Sequence, residues 1–249
     1  MEVKCNRCDG VYRLRSGKFG VFAGCSNFPQ CRSTMKLPAF LQATGLTEAE
    51  ALEAAGLVPP KRFVVFDVET PNSANDRMSA IGVTVVEGGA IVEEFASLVN
   101  PETHFDPFNI RLTGITPEAA AQAPAFPALW PKLEPMFSNG LLVAHNAPFD
   151  MAVLAKCLGG YGIQWRSSAA YACTVRMGRD CYPDLPNHKL NTLCAHLGIQ
   201  LDHHQASSDS HACALLLLDY LERGVDVRRF RRVYDLGSVR VEGQVSLLL

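Results

Sequence analysis

Asp67 and Glu69 close the apolar run Phe63-Val64-Val65-Phe66, two positions apart. On an extended strand that spacing puts both carboxylates on one face. Two acids side by side at the end of a buried strand repel each other and lose hydration, so they need a cation, a shared proton or water. Two more acids begin apolar helical stripes. Asp209 leads Ala212, Cys213, Leu216, Leu217 and Tyr220, and Asp150 leads Val153, Leu154, Cys157 and Leu158. Both series follow the helical period, which places each acid in line with a buried face. Either helix acid alone also fits a first-turn residue stabilised by the helix dipole, and the strand pair alone fits a solvated strand end. Together, four carboxylates aimed inward from three elements would be destabilising without counter-charge. A pair of hard divalent ions supplies it, and with it metal-ion chemistry.

A second set of ligand-type residues lies at the N-terminus. Cys5 and Cys8 precede a basic segment that leads to Cys25 and Cys31, and two such pairs suit a tetrahedral thiolate site for one structural zinc ion. Fewer than about 40 residues bury too little core to fold unaided, so a metal staple is expected there. The other cysteines, Cys157, Cys173, Cys181, Cys194 and Cys213, sit in apolar text and read as core filler. An odd total of nine cysteines suits a reducing compartment. No run approaches the roughly 20 apolar residues of a membrane span, and the N-terminus lacks a signal-peptide core. The expected location is cytoplasmic, with no membrane partner. Net charge is −2, yet residues 1–37 hold seven Lys and Arg against Glu2 and Asp9. This basic segment points to an anionic partner.

The elements that must position these groups divide the 249 residues into four parts: 1–37, a four-cysteine zinc ribbon; 38–60, a linker with a short helix over 51–55; 61–224, the main domain; and 225–249, a C-terminal tail. In the ribbon, a hairpin is expected between residues 11–15 and 19–22 across Ser16-Gly17-Lys18. In the linker, Thr47 and Glu50 have capping-box spacing. In the main domain, strands are expected at 63–69, 79–87, 90–98 and 141–144, with Gly88-Gly89 as a two-residue turn. Residues 101–114 read as loop with a short helix, and Thr116-Pro117 as a helix start. Helices are expected at 148–158, 189–197 and 209–221. Three strands followed by alternating strands and helices indicate an α/β domain on one mixed sheet. In the tail, Arg228, Arg229, Arg231 and Arg232 form a basic cluster that reads as a solvated surface or a phosphate-facing helix.

Two resemblances add to this reading. The N-terminal segment resembles the four-cysteine zinc ribbon of bacterial type I topoisomerases, through its Cys pair, its basic Gly/Phe text and Gly24-Cys25-Ser26-Asn27-Phe28-Pro29-Gln30-Cys31. That implies binding of DNA, especially single strands. Tyr12, Phe19, Phe22 and Phe28, interleaved with Arg and Lys, would stack on bases, or one or two of them would form the ribbon's own core. Further on, Phe66-Asp67-Val68-Glu69-Thr70, His145-Asn146-Ala147-Pro148-Phe149-Asp150 and His204-Gln205-Ala206-Ser207-Ser208-Asp209 resemble, in order, the three motifs of the DEDDh 3′–5′ exonuclease superfamily. That superfamily includes the proofreading subunit of bacterial replicative polymerases and RNase T-like enzymes. The likeness covers residues 61–222, and Leu112-Thr113-Gly114-Ile115-Thr116 is similar to a family segment near the substrate.

The resemblance implies an RNase H-like mixed five-stranded sheet flanked by helices. It implies two Mg2+ or Mn2+ ions on Asp67, Glu69, Asp150 and Asp209, and His204 as general base. The sister subfamily has Tyr four residues before the last Asp; Gln205 stands there, which favours the His subfamily. Thr70, His145, Asn146 and Phe149 would lie near the terminal nucleotide, although Phe149 by itself reads as a core residue. His203 is one position out of register, and His188, His196 and His211 match nothing and read as surface or core polar residues. The function expected is metal-dependent 3′–5′ hydrolysis of nucleic-acid ends, single-stranded DNA first, with the ribbon binding DNA. An exoribonuclease and a catalytically idle nucleic-acid adaptor remain the alternatives.

Overall fold

A computed structural model describes residues 2–17, 20–58 and 60–237. The chain forms two compact units, Met1–Pro60 and Lys61–Leu249.

In the first unit, β1 (Tyr12–Gly17), β2 (Gly20–Cys25) and β3 (Thr34–Lys36) form an antiparallel sheet in that order. The β1–β2 hairpin is as expected, but Lys18 and Phe19 at its turn lie outside the described residues. Two helices follow, α1 (Leu37–Thr44) and α2 (Glu48–Ala54). The sequence reading missed α1. Pro38 looks like a breaker, yet it occupies the first turn, where the missing N–H has no helical partner to lose. Phe40 of α1 packs on the ribbon core of Cys5, Tyr12, Ala23 and Cys25, so the ribbon continues structurally beyond residue 37. The capping box at α2 is present: Glu50 N–H donates to Thr47 Oγ1 at 3.3 Å, and Thr47 N–H to Glu50 Oε2 at 2.9 Å.

The second unit is built on β4 (Arg62–Glu69), β5 (Ala80–Glu87) and β6 (Ala90–Leu98), then α3 (Pro107–Thr113), α4 (Pro117–Ala121), α5 (Phe126–Ser138), β7 (Leu141–Ala144), α6 (Pro148–Gly160), β8 (Ser168–Cys173), α7 (Thr174–Cys181), α8 (Leu190–Leu197) and α9 (Ala206–Glu222). A 3-10 turn at Val227–Phe230 leads into β9 (Arg232–Asp235). The sheet order is β6-β5-β4-β7-β8-β9. β5 and β9 run antiparallel to their neighbours, and β4, β7 and β8 are parallel to one another. The Gly88-Gly89 turn has φ of 61° and 82°, values that glycine adopts freely.

The mixed α/β sheet is the expected one, with six strands rather than five. The sixth, β9, falls inside the segment read as a tail. Buried Val227 and Phe230 bring the chain back to the edge of β8, and the flanking arginines disguise that strand as surface text. The arginine cluster is largely solvated, with Arg228 on Asp226 at 2.8 Å and Arg229 on Asp180 at 3.1 Å. The remainder of the tail, residues 238–249, is outside the described residues.

Both faces of the sheet are covered. Val64, Phe66 and Val68 of β4 enter a core with α5 and α6, and Phe63 and Val65 enter a second core with α7, α8 and α9. Asp67 and Glu69 therefore project from the face that α9 covers. α9 reaches that face because β5 has no side chain at Gly82: a Cβ there would lie 1.9 Å from the Ala206 carbonyl oxygen.

Candidate active site and metal centres

β4 delivers Asp67 and Glu69 at its C-terminal end, α6 delivers Asp150 from its first turn, and α9 delivers Asp209 from its first turn. Glu69, Asp150 and Asp209 are buried, and Asp67 is half-buried. Single carboxylate oxygens of Asp67, Glu69 and Asp209 come within 4.8 Å of one another. Asp150 lines the same cavity and accepts the Val68 N–H at 3.3 Å, which ties α6 to β4 beside the other acids.

Burial, reinforced by the neighbouring acids, holds Asp67 well above the usual carboxylate range and lifts Glu69 to about 8. Burial raises Asp150 and Asp209 too. Among the described residues no cation pairs with Asp67, Glu69 or Asp150. Buried oxygen donors that repel one another and lack a counter-charge fit hard divalent cations.

Asp209 has partners from the loop before its helix. His203 Nδ1 lies 3.1 Å from Asp209 Oδ2, and the His204 N–H donates to the same oxygen at 3.1 Å. The two imidazoles stack at 3.9 Å, and His204 holds a left-handed φ of 68°. Burial and the adjacent His203 depress the His204 pKa below its ordinary value. One ring nitrogen from each of His203 and His204 lies within 4.8 Å of an Asp209 oxygen.

These groups share a cavity of about 560 Å3 with Thr70, His145, Asn146 and Phe149. Thr70 is fixed by Asn109, whose Nδ2 donates to the Thr70 carbonyl at 2.8 Å. His145 contacts Thr174 Oγ1 through Nδ1 at 2.9 Å, and burial lowers its pKa to about 4, so its ring is neutral at pH 7. Phe149 departs from its core reading: it is 38% exposed, as the apolar helix face turns away from it. Leu112 also borders the cavity.

The cavity includes residues that the sequence reading did not assign: Asn109, Val175, Arg179, Asn187, His188 and Lys189. His188 thus departs from its surface-or-core assignment, because its loop folds over the site. His196 and His211 lie elsewhere, against the Tyr182 ring and Glu94 respectively.

In the first unit the four cysteine sulfurs also gather within 4.8 Å. Cys5 and Cys31 are 3.8 Å apart, and Cys8 and Cys25 3.4 Å apart. A tetrahedral ion with bonds of about 2.3 Å separates its sulfurs by about 3.8 Å. The Arg7, Gly10 and Asn27 N–H groups each donate to a cysteine sulfur at 3.4 Å, which stabilises thiolate. The donor set fits zinc. Tyr12 belongs to the ribbon core, with its hydroxyl bonded to Asn6 and Ser33. Phe22 is half-buried, and Phe28 is 58% exposed beneath the Arg15 guanidinium.

A six-stranded mixed sheet whose central strand ends among buried acids from two helices is the RNase H-like exonuclease architecture. Solved structures share that fold. Exonuclease X in complex with 5′ overhanging duplex DNA matches with a TM-score of 0.55 at 23% identity, over 68% of this chain and 96% of that one. A 3′-exonuclease that recognises a histone mRNA stem-loop matches at 0.58 and 17% identity, over 68% and 85%.

The exonuclease family profile matches residues 64–217, and that of the topoisomerase DNA-binding C4 zinc finger matches residues 2–39. A PolC-type DNA polymerase III of Bacillus cereus is 34% identical over 181 residues, 70% of this chain but 12% of that protein. The 3′–5′ exonuclease DinG of Bacillus subtilis is 30% identical over 66% of this chain and 18% of its own length. The chain belongs to the exonuclease family, and its second unit carries the exonuclease domain; the chain spans only about an eighth of the length of the PolC-type relatives it matches.

Proposed function

We propose that the protein removes nucleotides from the 3′ ends of single-stranded DNA with two divalent ions, and that its N-terminal ribbon binds the strand. The observation that carries the reading is the convergence of Asp67, Glu69, Asp150 and Asp209 on one cavity beside His204. The four acids would hold two Mg2+ or Mn2+ ions, which when bound supply charge for the attacking and leaving oxygens. His204 would take the proton of the attacking water, a task its lowered pKa suits because the ring is neutral near pH 7. Neutral His145, with Thr70, Asn146 and Phe149, would seat the terminal nucleotide. Cys5, Cys8, Cys25 and Cys31 would hold one zinc ion and so fold the basic ribbon, on which exposed Phe28 and Arg15 would meet bases and phosphates. The family description of that ribbon favours DNA over RNA. No helix among the described residues is long and apolar enough to cross a membrane.

The test is a panel of 5′-labelled single- and double-stranded DNA and RNA, with and without Mg2+ or Mn2+. Metal-dependent shortening of single-stranded DNA ahead of the others is expected. Faster loss of RNA makes it an exoribonuclease, and no shortening of any strand makes it an adaptor.

A further inference from the structure

The cavity is lined by two unlike groups of residues. One holds the four acids. The other comes from α7 and the loop that leads into α8: Val175, Arg179, Asn187, His188 and Lys189. Val175 and Arg179 are one helical turn apart and so share a face of α7. Arg179 and Lys189 are exposed, and among the described residues neither side chain has an ion pair or hydrogen bond. The acid next to Arg179 in sequence, Asp180, is engaged elsewhere, with Arg229 at 3.1 Å.

The loop that carries Lys189 is held in place. His188 Nε2 donates to the Tyr182 carbonyl at 2.9 Å, and Asn187 Oδ1 accepts from Lys189 N–H at 3.1 Å and Thr192 Oγ1 at 2.7 Å. Two cations that line the same cavity as the carboxylate cluster, yet are bonded to none of its acids, are placed for an anion that enters that cavity. In a cavity of about 560 Å3 that anion has room for more than a single phosphate group.

We propose that Arg179 and Lys189 are specificity-determining residues that grip backbone phosphates of the strand while its end lies against the acids; this rests on the exonuclease reading of the cavity. They select a polynucleotide over a small phosphodiester. Arg179 meets a phosphate through its planar fork of donors, and Lys189 meets one as a point charge.

The experiment uses the full chain with Arg179→Gln, Lys189→Gln, the double variant and Arg179→Lys. Two substrates are compared: a 5′-labelled single-stranded oligonucleotide, and the p-nitrophenyl ester of thymidine 5′-monophosphate, which has one phosphodiester and no second nucleotide. For the double variant, oligonucleotide KM should rise about 10-fold or more with kcat within a few-fold, as expected for lost ground-state binding. The dependence of log(kcat/KM) on log salt should become shallower by about 0.7 per cation removed. Hydrolysis of the small ester should stay within about two-fold, which also reports an intact fold, and Arg179→Lys should keep the salt slope while losing part of the oligonucleotide affinity. A parallel fall on both substrates, or no change on either, overturns the assignment. Wild-type protein inert on both substrates overturns the exonuclease reading, and this assignment falls with it.

Discussion

Replacing Glu69 with Gln separates the stability of the acid cluster from its chemistry. Glu69 is 8% exposed, and its folded-state pKa is about 8 against an ordinary value of 4.5. The folded protein therefore retains this proton over a pH range in which the unfolded chain has lost it. Between pH 4.5 and 8 the native state binds more protons at this site, so the contribution of Glu69 to stability is greatest below 4.5, falls as pH rises, and levels off above 8. At pH 7 the gap is 2.5 pH units above the ordinary value, or about 3 kcal/mol at 1.36 kcal/mol per unit. Gln has the shape of the protonated acid and carries no charge, so Glu69→Gln should be more stable by up to that amount at pH 7. At pH 5 the two proteins should differ by less than about 1 kcal/mol. For a domain of this size about 3 kcal/mol is on the order of 10 °C in melting temperature. The assay is a set of melts of wild type and variant from pH 5 to 8, in buffer free of Mg2+ and Mn2+ with zinc retained. The other acids tilt both curves, Asp67 less in the variant because the charge of Glu69 is one cause of its raised pKa, so the readout is the difference between the curves. Added Mg2+ should then raise the wild type more than the variant, because a ligand stabilises the state that binds it. A difference between variant and wild type that does not grow from pH 5 to 8, or a variant no more stable at pH 7, would refute the picture of repelling buried acids.

Three other outcomes are expected. His204→Gln should lose about 10²-fold or more in turnover, the scale of a general base. His203→Gln should lose far less, because its ring is held by Asp209 and stacks on His204; steady-state kinetics on one oligonucleotide decide it, and equal or reversed losses mean that the register of this motif is wrong. Gly82→Ala should force the start of α9 away from β5, since its Cβ would meet the Ala206 carbonyl at 1.9 Å. A stability loss of about 1–3 kcal/mol and a turnover loss of about 10²-fold from a displaced Asp209 are expected, and full activity would show that Asp209 does not depend on that contact. Deleting residues 1–37, or replacing Cys25 and Cys31 with Ser, should weaken single-strand binding and flatten its salt dependence, with cleavage at saturation within a few-fold; equal affinities and salt slopes would assign the ribbon to another role.

The fold was legible where apolar pattern and local punctuation agree. β4, β6 and β7 lie where the apolar runs place them, the Gly88-Gly89 turn joins β5 to β6, α6 and α9 extend the expected helices by up to a turn, and α8 begins one residue later than expected. Prolines hid α5. Pro131 and Pro135 read as breakers, but both are on the exposed side, where water can satisfy the carbonyls they leave free, while Trp130, Leu133 and Phe137 face the core. β8, Ser168–Cys173, is short and alanine-rich, and it is a strand only because β7 and β9 lie on either side of it. Tertiary pairing decides such a segment, and no local preference announces it.

The candidate site divides along the same line. The acids were legible because each stands in phase with an apolar pattern, at period two on β4 and at the helical period on α6 and α9. Phase alone indicates which side chains turn inward, and an inward carboxylate calls for a partner. No such tension marks Arg179 or Lys189, since an exposed cation is unremarkable on any surface. The spacing from Val175 to Arg179 acquires meaning only once α7 is known to be a helix, and Gly178 in its middle argues against one. The structure shows why that residue carries no side chain: a Cβ at Gly178 would stand 2.8 Å from the Tyr220 hydroxyl of α9 and 3.2 Å from Leu193 of α8. Close packing among three helices thus sets α7, and Arg179 with it, at the cavity that holds the acids. The residue that permits this packing is the one that makes α7 hard to read from sequence.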